Sequence, residues 1–181
     1  MRFRTAESIL AFMTELDHVW SQMLADAGDR ANEEGRQHVV EYLRLRATND
    51  AIRSKGVAWL IDAFIEVATD AQRERLNLSI ERFEPHEFAH GNSTMVGTQL
   101  VVRHGVRCLR VESGWARIPS HGIMRKAALA VANITHFGLP NAGANIHLIH
   151  HDDELPCWID DKQNAVDTAL IRQHFDTFLG T

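Results

Sequence analysis

The run Met95–Val111, MVGTQLVVRHGVRCLRV, marks the point where the chain changes from helices to a sheet. Two segments rich in β-branched residues, 95–102 and 106–111, flank His104-Gly105. A two-residue link that ends in glycine is typical of a β-hairpin. Pairing across this link predicts Leu100 opposite Leu109. The expected core face carries Leu100, Val102, Leu109 and Val111, and the other face carries Gln99, Val101, Arg103, Val106, Cys108 and Arg110.

The residues before this run have the apolar spacing of amphipathic helices. In the first segment, 6–27, the apolar positions follow the i, i+3, i+4, i+7 pattern, and Gly28 is expected to end the helix. Two more helices are predicted over about 29–47 and 50–76. The stripe on the first helix is wide enough for a core or for an interface, and its largest members are Phe12, Met13, Trp20 and Met23.

The residues after the run favour further strands and one closing helix. Residues 127–137 suit either a strand or a helix, and we favour a strand because 145–151 can then pair with it. Residues 155–159 are expected to form an edge strand, and 164–179 a helix that ends at Gly180. The prediction is a single α+β domain over 1–181. It has about three N-terminal helices in 1–78, and an antiparallel sheet from about 80 to 160 with a C-terminal helix in 79–181.

One short stretch, Glu84–Asn92, reads EPHEFAHGN and contains the H-E-x-x-H pattern of zinc metalloproteases. That chemistry needs a helix, which brings His86 and His90 to one zinc ion while Glu87 activates the bound water. Pro85 and Gly91 leave room for only about six helical residues. In a strand, the two imidazoles would lie roughly 13 Å apart, too far to share a metal. We therefore expect no cofactor, and a zinc hydrolase that uses these three residues is the alternative.

The charge pattern gives a second candidate site. The chain has a net charge of −5, which argues against general nucleic-acid binding. The local net charge becomes positive between Leu100 and Lys126, where Glu112 is the one acidic residue. The basic residues expected to meet an acidic protein or an anionic ligand are Arg103, Arg107, Arg110 and Arg117. An acidic segment, 150–167, is a possible partner for them in another subunit.

Composition and termini restrict the class of protein further. Apolar residues make up 45% and charged residues 24%, values typical of globular domains. No apolar stretch approaches the ~20 residues of a membrane span, and the N-terminus lacks the pattern of a signal peptide. The expected location is therefore cytoplasmic, without a membrane partner.

These observations predict a non-catalytic protein that acts by binding a protein partner or by self-association, as a homo-oligomer and most simply a homodimer. No catalytic constellation outside the H-E-x-x-H pattern is found in the sequence. Two alternatives stay open. One is the metal-dependent hydrolase, and the other is a domain that binds a small anionic ligand in a pocket between the sheet and the last helix.

Overall fold

The computed structural model describes residues 6–73, 77–121, 124, 127–150 and 155–180, and the side chains of residues 6–17 lie outside that description. Two long helices come first, α1 (Ala6–Glu33) and α2 (Gln37–Arg73). The sequence predicted about three helices here. Gly28 does not end α1, because a glycine inside a helix costs only about 1 kcal/mol. Gly35, with φ of +70°, follows the helix instead, and α2 runs through residues 48–49 without a break.

Backbone contacts divide the chain into two compact units, one up to Ala51 and one from Ile52. The first unit contains α1 and the start of α2. Among its described residues, the buried apolar side chains are Leu24, Ala31 and Val40. The boundary falls inside α2, and the expectation of one domain over residues 1–181 stays a prediction.

Among the described residues of the second unit is an antiparallel sheet with six strands, in the order β1-β2-β3-β4-β5-β6. Each strand therefore pairs with its neighbour in the chain. The strands are β1 (Ser79–His90), β2 (Ser93–His104), β3 (Arg107–Trp115), β4 (Ala130–His136), β5 (Ala144–Ile149) and β6 (Cys157–Asp160). A final helix, α3 (Thr168–Leu179), begins after the N-cap Asp167 and ends at Gly180. The α+β prediction is confirmed, including the strand at 130–136.

The core of this unit lies on one face of the sheet. The predicted core residues Leu100, Val102, Leu109 and Val111 are all fully buried. They belong to one cluster with residues of α2 and α3, among them Leu60, Phe64, Ile171 and Phe175. The opposite face of the sheet is the outer face.

The β2–β3 register differs from the prediction by two residues. Val102 pairs with Leu109 and His104 with Arg107, so the two-residue loop is Gly105-Val106. Gly105 has φ of +59° at the first loop position, which is the place a type II′ turn reserves for glycine. A shift of two residues keeps every side chain on its predicted face, because side chains alternate with a period of two. Within the described residues, no helix is long and apolar enough to cross a membrane.

Candidate functional site

The H-E-x-x-H residues lie in strand β1, not in a helix. His86 and His90 face the same side of the strand, and Glu87 is exposed on the other side. The helical zinc geometry that the metalloprotease pattern requires is therefore not formed by these residues. The two histidines instead contact two different partners on the outer face of the sheet.

The end of the β1–β2 hairpin lies over the outer face of the sheet, where Ala89 and His90 contact Asn133 of β4 and the His147 ring of β5. Gly97 of β2 pairs with Gly114 of β3. A Cβ atom at Gly97 would collide with the Ser113 carbonyl oxygen, and one at Gly114 would lie 2.6 Å from the Val96 carbonyl oxygen. Only glycine allows the backbones to come this close. Gly97 also pairs with His86 on its other side, so this close approach adjoins the part of the hairpin that carries the histidines.

The first part of the site is a contact between His86 and Glu112. Nε2 of His86 lies 2.8 Å from Oε1 of Glu112, and Nε2 of Gln99 donates to the same oxygen at 3.1 Å. Nε2 of Gln99 also lies 3.2 Å from Nε2 of His86, so the three side chains meet at one point. Because a carboxylate can only accept, His86 donates to Glu112 through Nε2, and Nδ1 is the ring nitrogen that faces away from this contact. The side chains of His86 and Glu112 are 23% and 16% exposed, so a small molecule can reach them.

The second part of the site is at the tip of the hairpin. Nδ1 of His90 lies 2.9 Å from Oδ1 of Asn133, and Nδ2 of Asn133 donates to the Ala89 carbonyl oxygen at 3.3 Å. The second hydrogen bond fixes the orientation of the amide, so that its oxygen faces His90. His90 therefore donates through Nδ1, and its lone pair is on Nε2.

The third part of the site is His147 on β5. Its ring meets the His90 ring edge-on, with 5.7 Å between centroids. Nε2 of His147 lies 3.3 Å from Oδ1 of Asp161, which makes Nε2 the donor. Nδ1 is buried and has no hydrogen-bond partner among the described residues. A buried polar atom without a partner costs about 1–3 kcal/mol, so a hydrogen bond to this nitrogen would stabilise the site.

Together these contacts define the histidine site: His86, His90, Gln99, Glu112, Asn133, His147 and Asp161. Each of the three rings is held by an oxygen acceptor, and the amide groups of Gln99 and Asn133 already donate within the protein. The nitrogens that face away from these contacts are acceptors. The site therefore suits a ligand that brings hydrogen-bond donors.

An apolar cluster adjoins these polar groups on the outer face. Phe88, Met95, Ala128 and Val131 are buried together, and Met124 packs against them. The Phe88 ring is stacked 6.0 Å from that of His86. Phe88 lies between His86 and His90 in β1, so the apolar cluster and the histidine site are continuous.

A metal ion at this site would have to use the imidazole lone pairs. Imidazoles that bind metals usually donate their other nitrogen to an oxygen, as His90 and His147 do here. In the part of the chain that the structure describes, however, no group of three or more His, Cys, Asp or Glu side chains is placed to hold a metal ion.

The four arginines predicted to bind an anionic partner do not form one surface. Arg103 and Arg110 are exposed on the outer face. Arg107 instead donates to the carbonyl oxygens of Phe178 and Leu179, at the C-terminal end of α3. Arg117 lies over the Trp115 ring, 4.6 Å from its centroid. Recognition of an anionic partner by Arg103 and Arg110 stays a prediction.

A second histidine pair lies on the core side of the sheet, away from the histidine site. His136 and His174 are buried and stacked, with Nε2 of His136 3.1 Å from Nδ1 of His174. Burial, with a smaller contribution from the neighbouring His136, lowers the pKa of His174 to about 4. Burial also lowers the pKa of His136. Both rings are therefore neutral near pH 7.

Sequence reasoning found His86 and His90 but missed their partners. Gln99 and Glu112 could have been brought together by a correct β2–β3 register, which pairs them directly. Asn133 and His147 reach the site because the end of the hairpin lies over β4 and β5, an arrangement that apolar spacing along the chain does not predict. The chain matches no family model, no curated protein and no solved structure.

Proposed function

We propose that this protein binds a small molecule rich in hydrogen-bond donors, such as an amine, an amidine or a polyol, in the histidine site. The buried Nδ1 of His147 carries the proposal, because it has no partner among the described residues. His90, whose ring meets that of His147, and His86 further along β1 provide further acceptors on the same face of the sheet. Phe88 and Met95 supply an apolar surface beside them for the body of the ligand.

Complementary hydrogen bonding is the physical basis of the proposed selectivity. Three imidazoles, two carboxylates and two amides form the site, and the amide donors are already used. A ligand that offers only acceptors would leave its own groups and those of the protein unpaired, at a cost of about 1–3 kcal/mol for each buried group. We therefore expect donors to be preferred over carboxylates of the same size.

A thermal-shift screen tests the proposal. The panel contains small amines, amidines and polyols, with carboxylates of matched size, and is measured on the wild type and on His147→Phe. At about 100 times its Kd, a ligand stabilises the fold by about 2.7 kcal/mol. We expect donor compounds to raise the melting temperature of the wild type by several degrees and to lose this effect in the variant.

His38→Phe is the matched control, because His38 is exposed on α2, outside the histidine site. It should respond to the ligands as the wild type does. Donor compounds that produce no shift in the wild type, or equal shifts in the wild type and in His147→Phe, would contradict the proposal. Imidazole NMR spectra of the free protein check the site itself, and should show protons on Nε2 of His86 and His147 and on Nδ1 of His90.

We also propose that the protein associates with a second copy through the helices of its first unit. The described part of this unit buries few apolar side chains, yet five large ones are exposed: Val19, Trp20, Met23, Tyr42 and Leu45. An open cavity of about 300 Å³ lies between α1 and α2, lined by residues such as Leu24, Val40 and Leu43. Pairing two such units as a four-helix bundle would bury these side chains. This agrees with the self-association expected from the stripe on the first helix.

A further inference from the structure

An open cavity of about 500 Å³ lies in the second unit, between α2 and strands β5 and β6. Cavities of about 300–1,000 Å³ are typical of small-molecule sites. The described residues that line it come from α2, β5, β6 and the segment before α3. They include Lys55, Trp59, Leu148, Trp158 and Val166. The cavity contains none of the residues of the histidine site.

The walls of this cavity are apolar and fixed in place. Leu148, Trp158 and Val166 are buried in the core. The indole nitrogen of Trp158 donates to the Gly56 carbonyl oxygen at 3.0 Å, which attaches β6 to α2. Gly56 permits this approach, since a Cβ atom there would lie only 2.5 Å from Leu148 Cδ2. Most of the cavity wall is therefore fixed by the packing of α2 against β5 and β6.

One side of the cavity carries an exposed aromatic ring and a charged amine. Trp59 lies about one helical turn after Gly56 and lines the cavity. Its side chain is 45% exposed. Lys55 is the one charged residue among the lining side chains described. No hydrogen bond or ion pair joins Lys55 to any residue in the ranges that the structure describes. An exposed indole beside a free ammonium group matches a ligand with a flat apolar body and one negative charge.

We propose that this cavity binds an amphipathic monoanion, an aromatic molecule that carries one carboxylate or sulfonate. The apolar body packs between Trp59 and the buried wall of Leu148 and Val166. The anionic group pairs with Lys55 at the mouth of the cavity. This site shares no residue with the histidine site, and it lies against α2 and not in the pocket between the sheet and the last helix that the sequence predicted for an anionic ligand.

Fluorescence titration with anilinonaphthalene sulfonate tests the inference, and uncharged anilinonaphthalene serves as the matched probe. The wild type should bind one sulfonate probe per chain. Lys55→Met should bind it about fivefold more weakly at low salt, and Lys55→Arg should keep most of the affinity. Trp59→Ala should weaken both probes, because it removes the apolar wall. The uncharged probe should not respond to Lys55→Met.

Lys162→Met is the control, since it makes the same substitution in the loop after β6 and should leave binding of both probes unchanged. Circular dichroism and urea unfolding confirm that each variant is folded, because the sulfonate probe also binds partly unfolded chains. Equal affinity of Lys55→Met and Lys162→Met for the sulfonate probe, equal binding of the two probes, or several probes bound per chain would overturn the inference.

Discussion

Gly105 begins the two-residue loop between β2 and β3 with φ of +59°. A β-branched residue fits this conformation badly, and such strain costs on the order of 1–3 kcal/mol. Gly105→Val should therefore lower the free energy of unfolding by about 1 kcal/mol or more, as measured by urea titration. Val106→Ala is the control. Val106 is exposed in the same loop, and its substitution should change stability by less than about 0.5 kcal/mol. Equal stability of the two variants would contradict the assignment of Gly105 to the first position of the turn.

His174 makes the stability of the fold depend on pH. Its pKa in the folded state is about 4, below the ordinary value of 6.5, so the unfolded chain takes up a proton first as the pH falls. The stabilising effect of the neutral ring is present above about pH 6.5 and is lost as the pH falls towards 4. Between pH 7 and pH 5, this group should reduce the free energy of unfolding by about 2 kcal/mol.

Urea unfolding of His174→Asn at both pH values measures this contribution. The variant should lose less stability than the wild type between pH 7 and pH 5, because the buried ring that resists protonation has been removed. The same pH dependence in both proteins would show that His174 is not the group responsible.

Single residues of the histidine site could be selected from the sequence, but their chemistry could not. His86 and His90 were conspicuous because of the H-E-x-x-H spacing, which describes a helix. Their actual partners, Glu112 and Asn133, are 26 and 43 positions away. Spacing along the chain carries no information about contacts between strands until the register and the curvature of the sheet are known.

At the scale of elements, the close pairing of Gly97 with Gly114 adjoins the part of the hairpin that carries His86 and His90. Gly97→Ala should destabilise the protein by about 1–3 kcal/mol, since the added methyl group meets backbone atoms that cannot move aside. It should also move the hairpin tip away from β4, and the NMR signals of the His90 ring should change. A stable variant with unchanged His90 signals would show that the position of the hairpin tip does not depend on this glycine.

Gly28→Ala provides the opposite control. Gly28 is inside α1, and a Cβ atom there would meet nothing within 4 Å. Alanine is favoured over glycine in a helix by about 1 kcal/mol, so this variant should be as stable as the wild type or more stable. A loss of stability for Gly28→Ala would indicate that the helix is not continuous at this position.

The types of element were largely predictable, and their ends were less so. The strands and α3 were located because alternating or helical apolar spacing is a strong signal in a half-buried element. The helix ends predicted at Gly28 and near residue 48 were wrong, because glycine and polar residues are tolerated within a long helix. The predicted β2–β3 register was wrong by two residues, because the sequence does not show which position of the turn the glycine occupies.

At the scale of the whole molecule, the exposed apolar residues of the first unit predict self-association. Light scattering at micromolar concentration should give a particle of twice the 20.5 kDa chain mass. Met23→Glu combined with Leu45→Glu should shift the particle towards a single chain, because charges cannot be buried in an apolar helix interface without cost.

The control for this experiment is Val106→Glu, which adds a charge at an exposed residue of the second unit and should leave the mass unchanged. A wild-type mass of 20.5 kDa would contradict self-association. Equal masses for the doubly substituted protein and the wild type would place the interface elsewhere.

The strand order β1-β2-β3-β4-β5-β6 has a consequence for how fast the chain folds. Every ladder joins strands that are consecutive in the sequence, so no strand pairs with a distant segment of the chain. Proteins dominated by such local contacts fold faster than proteins whose strands pair across long loops, since less chain entropy is lost before each contact forms. The hairpins can form one after another as the polypeptide leaves the ribosome, with β1–β2 first and α3 last.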